Sequence, residues 1–171
     1  MKVAELNGYV DDLVIRGRLS RSLADTLAAT PAEATRVGFI HLDPALVLLP
    51  LMRISPSVKV RRRLHVAFNF GLPSLDGDIE TIMHKLTQWR ADHENTDTLR
   101  QSYAASKEMF RIMYARSAER GEQPNPAPPA TRTDLVVSIF TSGSPILASF
   151  GDTFANDACE RFLSGSSLAR A

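Results

Sequence analysis

The stretch from Ser57 to Phe70 constrains this chain more than any other. Val58, Val60, Leu64, Val66, Phe68 and Phe70 alternate there with Lys59, Arg61, Arg63, His65 and Asn69. Successive side chains leave a pleated strand on opposite sides, so period two predicts a strand with one apolar and one polar face. At ~3.3 Å per residue it would be about 45 Å long. Only Arg62 breaks the apolar row, which marks a bulge, an interface or a buried ion pair.

The neighbouring segments predict helices. Gly71-Leu72-Pro73 ends the strand, and Asp76 and Asp78 fall where a helix start favours acidic side chains. Ile79, Ile82, Met83, Leu86 and Trp89 then form one apolar stripe. A second helix is expected from Asp97 to Arg120, burying Leu99, Tyr103, Phe110 and Met113, with Gly121 as its stop. Earlier, Leu19, Leu23 and Leu27 recur every four residues in a short helix capped by Ser20 or Ser22, which Thr30-Pro31 stops. Residues 3–15 read as a weak hairpin or irregular arm around Asn7-Gly8. The run between Pro44 and Pro50 fits either a buried strand or one helical pass. Leu135–Phe140 and Ile146–Phe150 read as paired strands across a Ser142–Pro145 turn, and Asp157–Leu163 as a closing helical turn or two. The expected fold is α+β: one compact domain over residues 1–171, its long amphipathic strand in an antiparallel sheet packed against two or three helices. Residues 122–133, with four prolines from Pro124 to Pro129, are expected as an exposed loop.

Composition narrows the class. With 171 residues the chain can bury a core without metal or disulfide help. A single cysteine, Cys159, permits no internal disulfide and no multi-cysteine zinc site, which suits a reducing compartment. The longest apolar run, Pro44–Met52, is too short to span a bilayer, and no signal region is expected. The net charge of +1 hides an asymmetry, since residues 1–63 carry +4 and residues 64–171 carry −3. Opposite-sign halves favour head-to-tail association.

Motifs for catalysis are sparse. The serines of 141–151 lack the spacing of a nucleophile elbow, and the scattered glycines give no phosphate loop. Asp76, Asp78, Glu80 and His84 offer a divalent-ion set, with Glu80 and His84 on one helix face, against the simpler reading that the carboxylates complement a helix N-terminus. No cofactor, metal or small-molecule substrate is expected. The basic feature carries more. On a strand, Lys59, Arg61, Arg63 and His65 would point the same way about 6.6 Å apart, a ladder for successive phosphates or anionic head groups. Arg16, Arg18 and Arg21 extend that patch if the front of the chain packs beside it, and Arg62 joins the set; the alternative is a solvated or charge-protected sheet face.

The order of elements resembles the core of rhabdovirus matrix proteins, above all in RLHVAFNFGLPSLDGDIETIMHKLTQW (63–89) and TDLVVSIF (133–140). That resemblance implies an α+β viral structural protein that self-associates, condenses ribonucleoprotein and binds anionic membrane, in the host cytoplasm and the virion. Where that family often has a lysine-rich N-terminal arm and a proline-tyrosine motif, this sequence reads MKVAELNGYVDD and, at 124–129, PNPAPP. SPSVKVR followed by two helices is faintly similar to rod-shaped plant-virus coat proteins. Three functions follow: a matrix-like protein binding itself, RNA or acidic lipid; a protein-interaction module or effector without nucleic-acid binding; and a small metal-dependent enzyme.

Overall fold

A computed structural model describes residues 1–121 and 128–168. After a short 3-10 turn at Val3–Glu5, the described residues form ten helices: α1 (Leu6–Ile15), α2 (Arg21–Ala28), α3 (Thr30–Val37), α4 (Pro44–Arg53), α5 (Val58–Phe68), α6 (Leu75–His93), α7 (Thr96–Glu119), α8 (Arg132–Thr141), α9 (Pro145–Ser149) and α10 (Phe154–Leu168). Extended pairing among the described residues is confined to two isolated bridges, Lys2 with His41 and Leu19 with Ala130. The molecule is a helical bundle.

The bundle is organised around α4. Every residue from Pro44 to Met52 is buried, which explains a sequence apolar on all sides. Helices α2, α3, α5, α6, α7 and α8 all contact it. Pro44 stands at its first turn, where a missing N–H costs nothing, and Pro50 lies inside it without ending it. Each fully buried leucine of this helix contributes on the order of 2 kcal/mol of transfer free energy, and Leu46, Leu48, Leu49 and Leu51 are all sealed from solvent.

Side-chain caps start most of the helices. Ser20 accepts from Leu23 N–H, Ser57 from Val60 N–H, Ser74 from Gly77 N–H and Ser144 from Leu147 N–H. Asn95 and Thr131 build capping boxes for α7 and α8. Such caps satisfy donors that the helix itself leaves open.

The α+β fold, the antiparallel sheet and the rhabdovirus-matrix resemblance are therefore overturned by a helical bundle with no sheet among the described residues. The 45 Å strand is α5, because its residues also satisfy a helical period. Val60, Leu64, Ala67 and Phe68 fall on one side of a 3.6-residue repeat and are buried there. Ser57 caps the start, and Asn69 closes the end in the left-handed conformation at φ 53°. The strand pair 135–140 and 146–150 is α8 and α9. A contiguous apolar run does not distinguish a buried strand from a buried helix, and Asp134–Phe140 is buried all round between α4, α7 and α10. The irregular arm at 3–15 is helical, with Asn7 and Gly8 inside α1.

Other expectations match in part. The stripe of α6 buries Ile79, Ile82, Leu86 and Trp89, with Met83 partly covered. Helix α7 runs one residue off its expected limits and buries Phe110 and Met113, but Tyr103 is exposed. Of the proline-rich segment, residues 122–127 lie outside the described residues. Its far end is not loop-like throughout: Ala130 is buried, donating its N–H to the Arg18 carbonyl at 3.0 Å, and Thr131 already caps α8.

Candidate functional site

Folding α5 as a helix splits the expected basic ladder three ways. Lys59 and Arg62 face solvent, Arg61 and His65 share the flank toward α6, and Arg63 lies on the flank toward α10. A basic strand face for RNA or acidic lipid, with all these side chains aligned, is thus contradicted, because residues two apart on a helix point in different directions.

Arg63 is structural. Its Nε and Nη2 donate to the Phe162 carbonyl at 2.9 and 2.7 Å, and its guanidinium lies 4.2 Å from the centroid of the Phe162 ring. Burial lowers its pKa from the ordinary arginine value. Arg161 returns the contact by donating to the Ala67 carbonyl at 2.8 Å. The register of these bonds makes α5 and α10 antiparallel neighbours. His65 reaches across to α6, where its Nδ1 bonds the Asp78 carboxylate. Asp78 is fully buried, which pushes its carboxyl above the usual range, while the hydrogen bond and charge of His65 pull it partly back.

The remaining candidates separate too. Arg16 pairs with Asp12 one turn earlier at 3.0 Å, both exposed. Arg18 lies over the Tyr114 ring at 5.7 Å, and Arg21 is exposed in the first turn of α2. Of the divalent-ion set, Asp76, Glu80 and His84 are exposed while Asp78 is turned inward to His65. Among the described residues no group of three His, Cys, Asp or Glu side chains could hold a metal ion. Cys159 is buried, and its thiol is pushed up by that burial. No helix among the described residues is long and apolar enough to cross a membrane.

Two further charged centres, which the sequence reading missed, tie helices together. Asp134 of α8 is buried and ion-paired to Arg120 and Arg116 of α7. Burial raises its pKa, but the Arg120 hydrogen bond and the Thr131 N–H outweigh it and hold the carboxyl below its ordinary value. Glu33 of α3 is buried and accepts from Arg53 Nε at 2.6 Å. The signal for the first was present as Thr131-x-x-Asp134, a capping box ahead of an apolar run.

What α5 leaves outside is a stripe. Val58, Arg62 and Val66, spaced i, i+4 and i+8, run up its solvent face, with Lys59 beside them. Val58 is 48% exposed and Val66 46%. On the adjacent α10, at the level where Arg63 meets Phe162, Leu163 is 43% exposed. Neither Lys59 nor Arg62 has an ion-pair partner among the described residues, in contrast to Arg16, Arg36, Arg53, Arg116 and Arg120. This face offers aliphatic contact between two cations, which suits a partner segment that alternates apolar and acidic side chains. No family model, curated protein or solved structure matches the chain.

Proposed function

We propose that the chain is a protein-interaction module whose docking face is the outer surface of α5, and that its partner presents an acidic, aliphatic-bearing segment. The carrying observation is the Val58–Arg62–Val66 stripe, two half-exposed valines bracketing an arginine on a helix held rigidly by α6 and α10. Rigid placement supports the reading, since a preformed face loses little entropy on binding. The buried carboxylates support it as well. Asp43, Asp78, Asp134 and Glu33 each hold elements of the bundle together rather than converge on one open cleft.

The test uses the intact protein and Val66→Asp, with Tyr103→Asp as a control on another exposed side chain. A partner recovered by the wild type should bind Val66→Asp at least about tenfold more weakly, bind the control normally and weaken as salt rises. A partner that ignores Val66→Asp overturns the reading. So does equal, Val66-dependent binding to an RNA oligonucleotide or to anionic vesicles. Sedimentation showing a dimer that Val66→Asp dissociates would place a second copy of the chain on this face and overturn the assignment to another protein.

A further inference from the structure

Helix α4 ends and α6 begins on either side of a small open cavity that Arg61 of α5 borders. It measures about 250 Å³, with Met52, Leu75 and Ile79 as its apolar part and Arg53, Arg61 and Asp76 as its charged part. The two arginines differ. Arg53 is already steered by Glu33, to which its Nε donates at 2.6 Å. Arg61 is not: its Nε is buried and has no acceptor among the described residues. That Nε is sealed from solvent and out of a ligand's reach, but the terminal nitrogens of the same guanidinium, which make no hydrogen bond among the described residues, match the oxygens of a phosphate group. Arg61 lies on the α6 flank of α5, so this cavity is separate from the outer valine stripe.

We propose that the cavity binds a phosphate group, with Arg61 as its main donor and Arg53 as the second positive charge. Asp76 works against it. Asp76 lines the same cavity from the first turn of α6, and its negative charge repels an incoming anion. The site is therefore tuned to weak, reversible occupancy, and loss of that carboxylate strengthens it. The phosphate group can come from free inorganic phosphate or from a phosphomonoester.

The experiment measures thermal stabilisation of the full chain by inorganic phosphate and by O-phosphoserine, each against sodium chloride at equal ionic strength. Four proteins are compared: wild type, Arg61→Gln, Asp76→Asn and Arg62→Gln. The expected results are stabilisation of the wild type beyond the chloride control, about tenfold weaker apparent affinity in Arg61→Gln, several-fold tighter affinity in Asp76→Asn, and no change in Arg62→Gln. A stronger response to O-phosphoserine assigns the source to a phosphomonoester, and an equal response assigns it to the free anion. Phosphate that does no more than chloride in both wild type and Asp76→Asn overturns the site. So does an Arg62→Gln loss as large as that of Arg61→Gln, which would signify general surface charge. If Arg61→Gln fails to fold by circular dichroism, the direction of the Asp76→Asn change decides.

Discussion

Asp43 has both carboxylate oxygens engaged in the first turn of α4. One accepts from Ala45 N–H at 2.9 Å and from Ser144 Oγ at 2.6 Å, and the other accepts from Ser102 Oγ at 2.6 Å. A single buried side chain thereby joins the start of α4 to α7 and to the cap of α9, while Ser106 donates to the adjacent Leu42 carbonyl at 3.0 Å. Replacing it with alanine removes a helix cap and strands two buried hydroxyls, so Asp43→Ala should cost about 3 kcal/mol. In a thermal melt that corresponds to a fall in Tm of roughly 6–12 °C for a chain of this size. Burial pushes the Asp43 carboxyl above its ordinary 3.8, and its hydrogen bonds offset only part of that. The folded state then keeps its proton at a pH where the unfolded chain has released it, so this group's contribution to stability falls as pH rises through that window. Urea denaturation of wild type and Asp43→Asn at pH 4 and pH 8 checks the sign. The wild type should compare better with the variant at pH 4 than at pH 8.

At the scale of elements, α5 and α7 form for different reasons. Helix α7 is 24 residues long, opens on a capping box and carries a Glu108–Arg111 pair one turn apart, so its local sequence favours the helix strongly. Helix α5 has 11 residues, valines at three positions and only basic or apolar side chains throughout, an arrangement that serves either period. Its helicity comes from what it packs against: Leu64 and Phe68 in the core, His65 on Asp78, and Arg63 on the Phe162 carbonyl. Synthetic peptides covering 94–121 and 56–70 should therefore differ by circular dichroism in water. The first should show partial helix and the second almost none, and a helical 56–70 peptide would mean that local propensity already decides α5. The same contrast explains what was legible. Evenly patterned α6 and α7 could be read from their stripes, whereas α8 is apolar at five of the six positions 135–140, Ser138 being the exception, and shows no period to read.

For the molecule as a whole, the decisive fact is that one apolar helix is surrounded on all sides. With α2, α3, α5, α6, α7 and α8 all resting on α4, a void there is felt by most of the bundle. Leu48→Ala should cost about 3–4 kcal/mol, whereas Leu163→Ala, at the surface of α10, should change stability by less than about 0.5 kcal/mol. Chemical denaturation midpoints measure both. A small loss at Leu48 would show that α4 is not the common core. The site residues divide along the same line. Lys59 and Arg62 are exposed cations, Arg62 despite its place in the apolar row of the expected strand, whereas Arg61, Arg63 and His65 are diverted to a cavity, a carbonyl and a buried carboxylate.

The sequence by itself determined the Ser20 cap of α2, the inward stripe of α6, the Phe110 and Met113 part of that of α7, and that Pro44–Met52 is an apolar run. These are local properties, fixed by hydrogen bonding at helix starts and by the spacing of apolar side chains along one segment. Only the tertiary structure decided that Val58–Phe68 coils rather than extends. Its apolar residues satisfy periods of two and of 3.6, and the choice rests on the partners available. Asp78 on α6 offers an acceptor to His65, Phe162 on α10 offers its carbonyl to Arg63, Phe140 on α8 meets the ring of Phe68, and α4 packs against the helix. With no second strand among the described residues to satisfy its backbone, the segment satisfies that backbone internally as a helix.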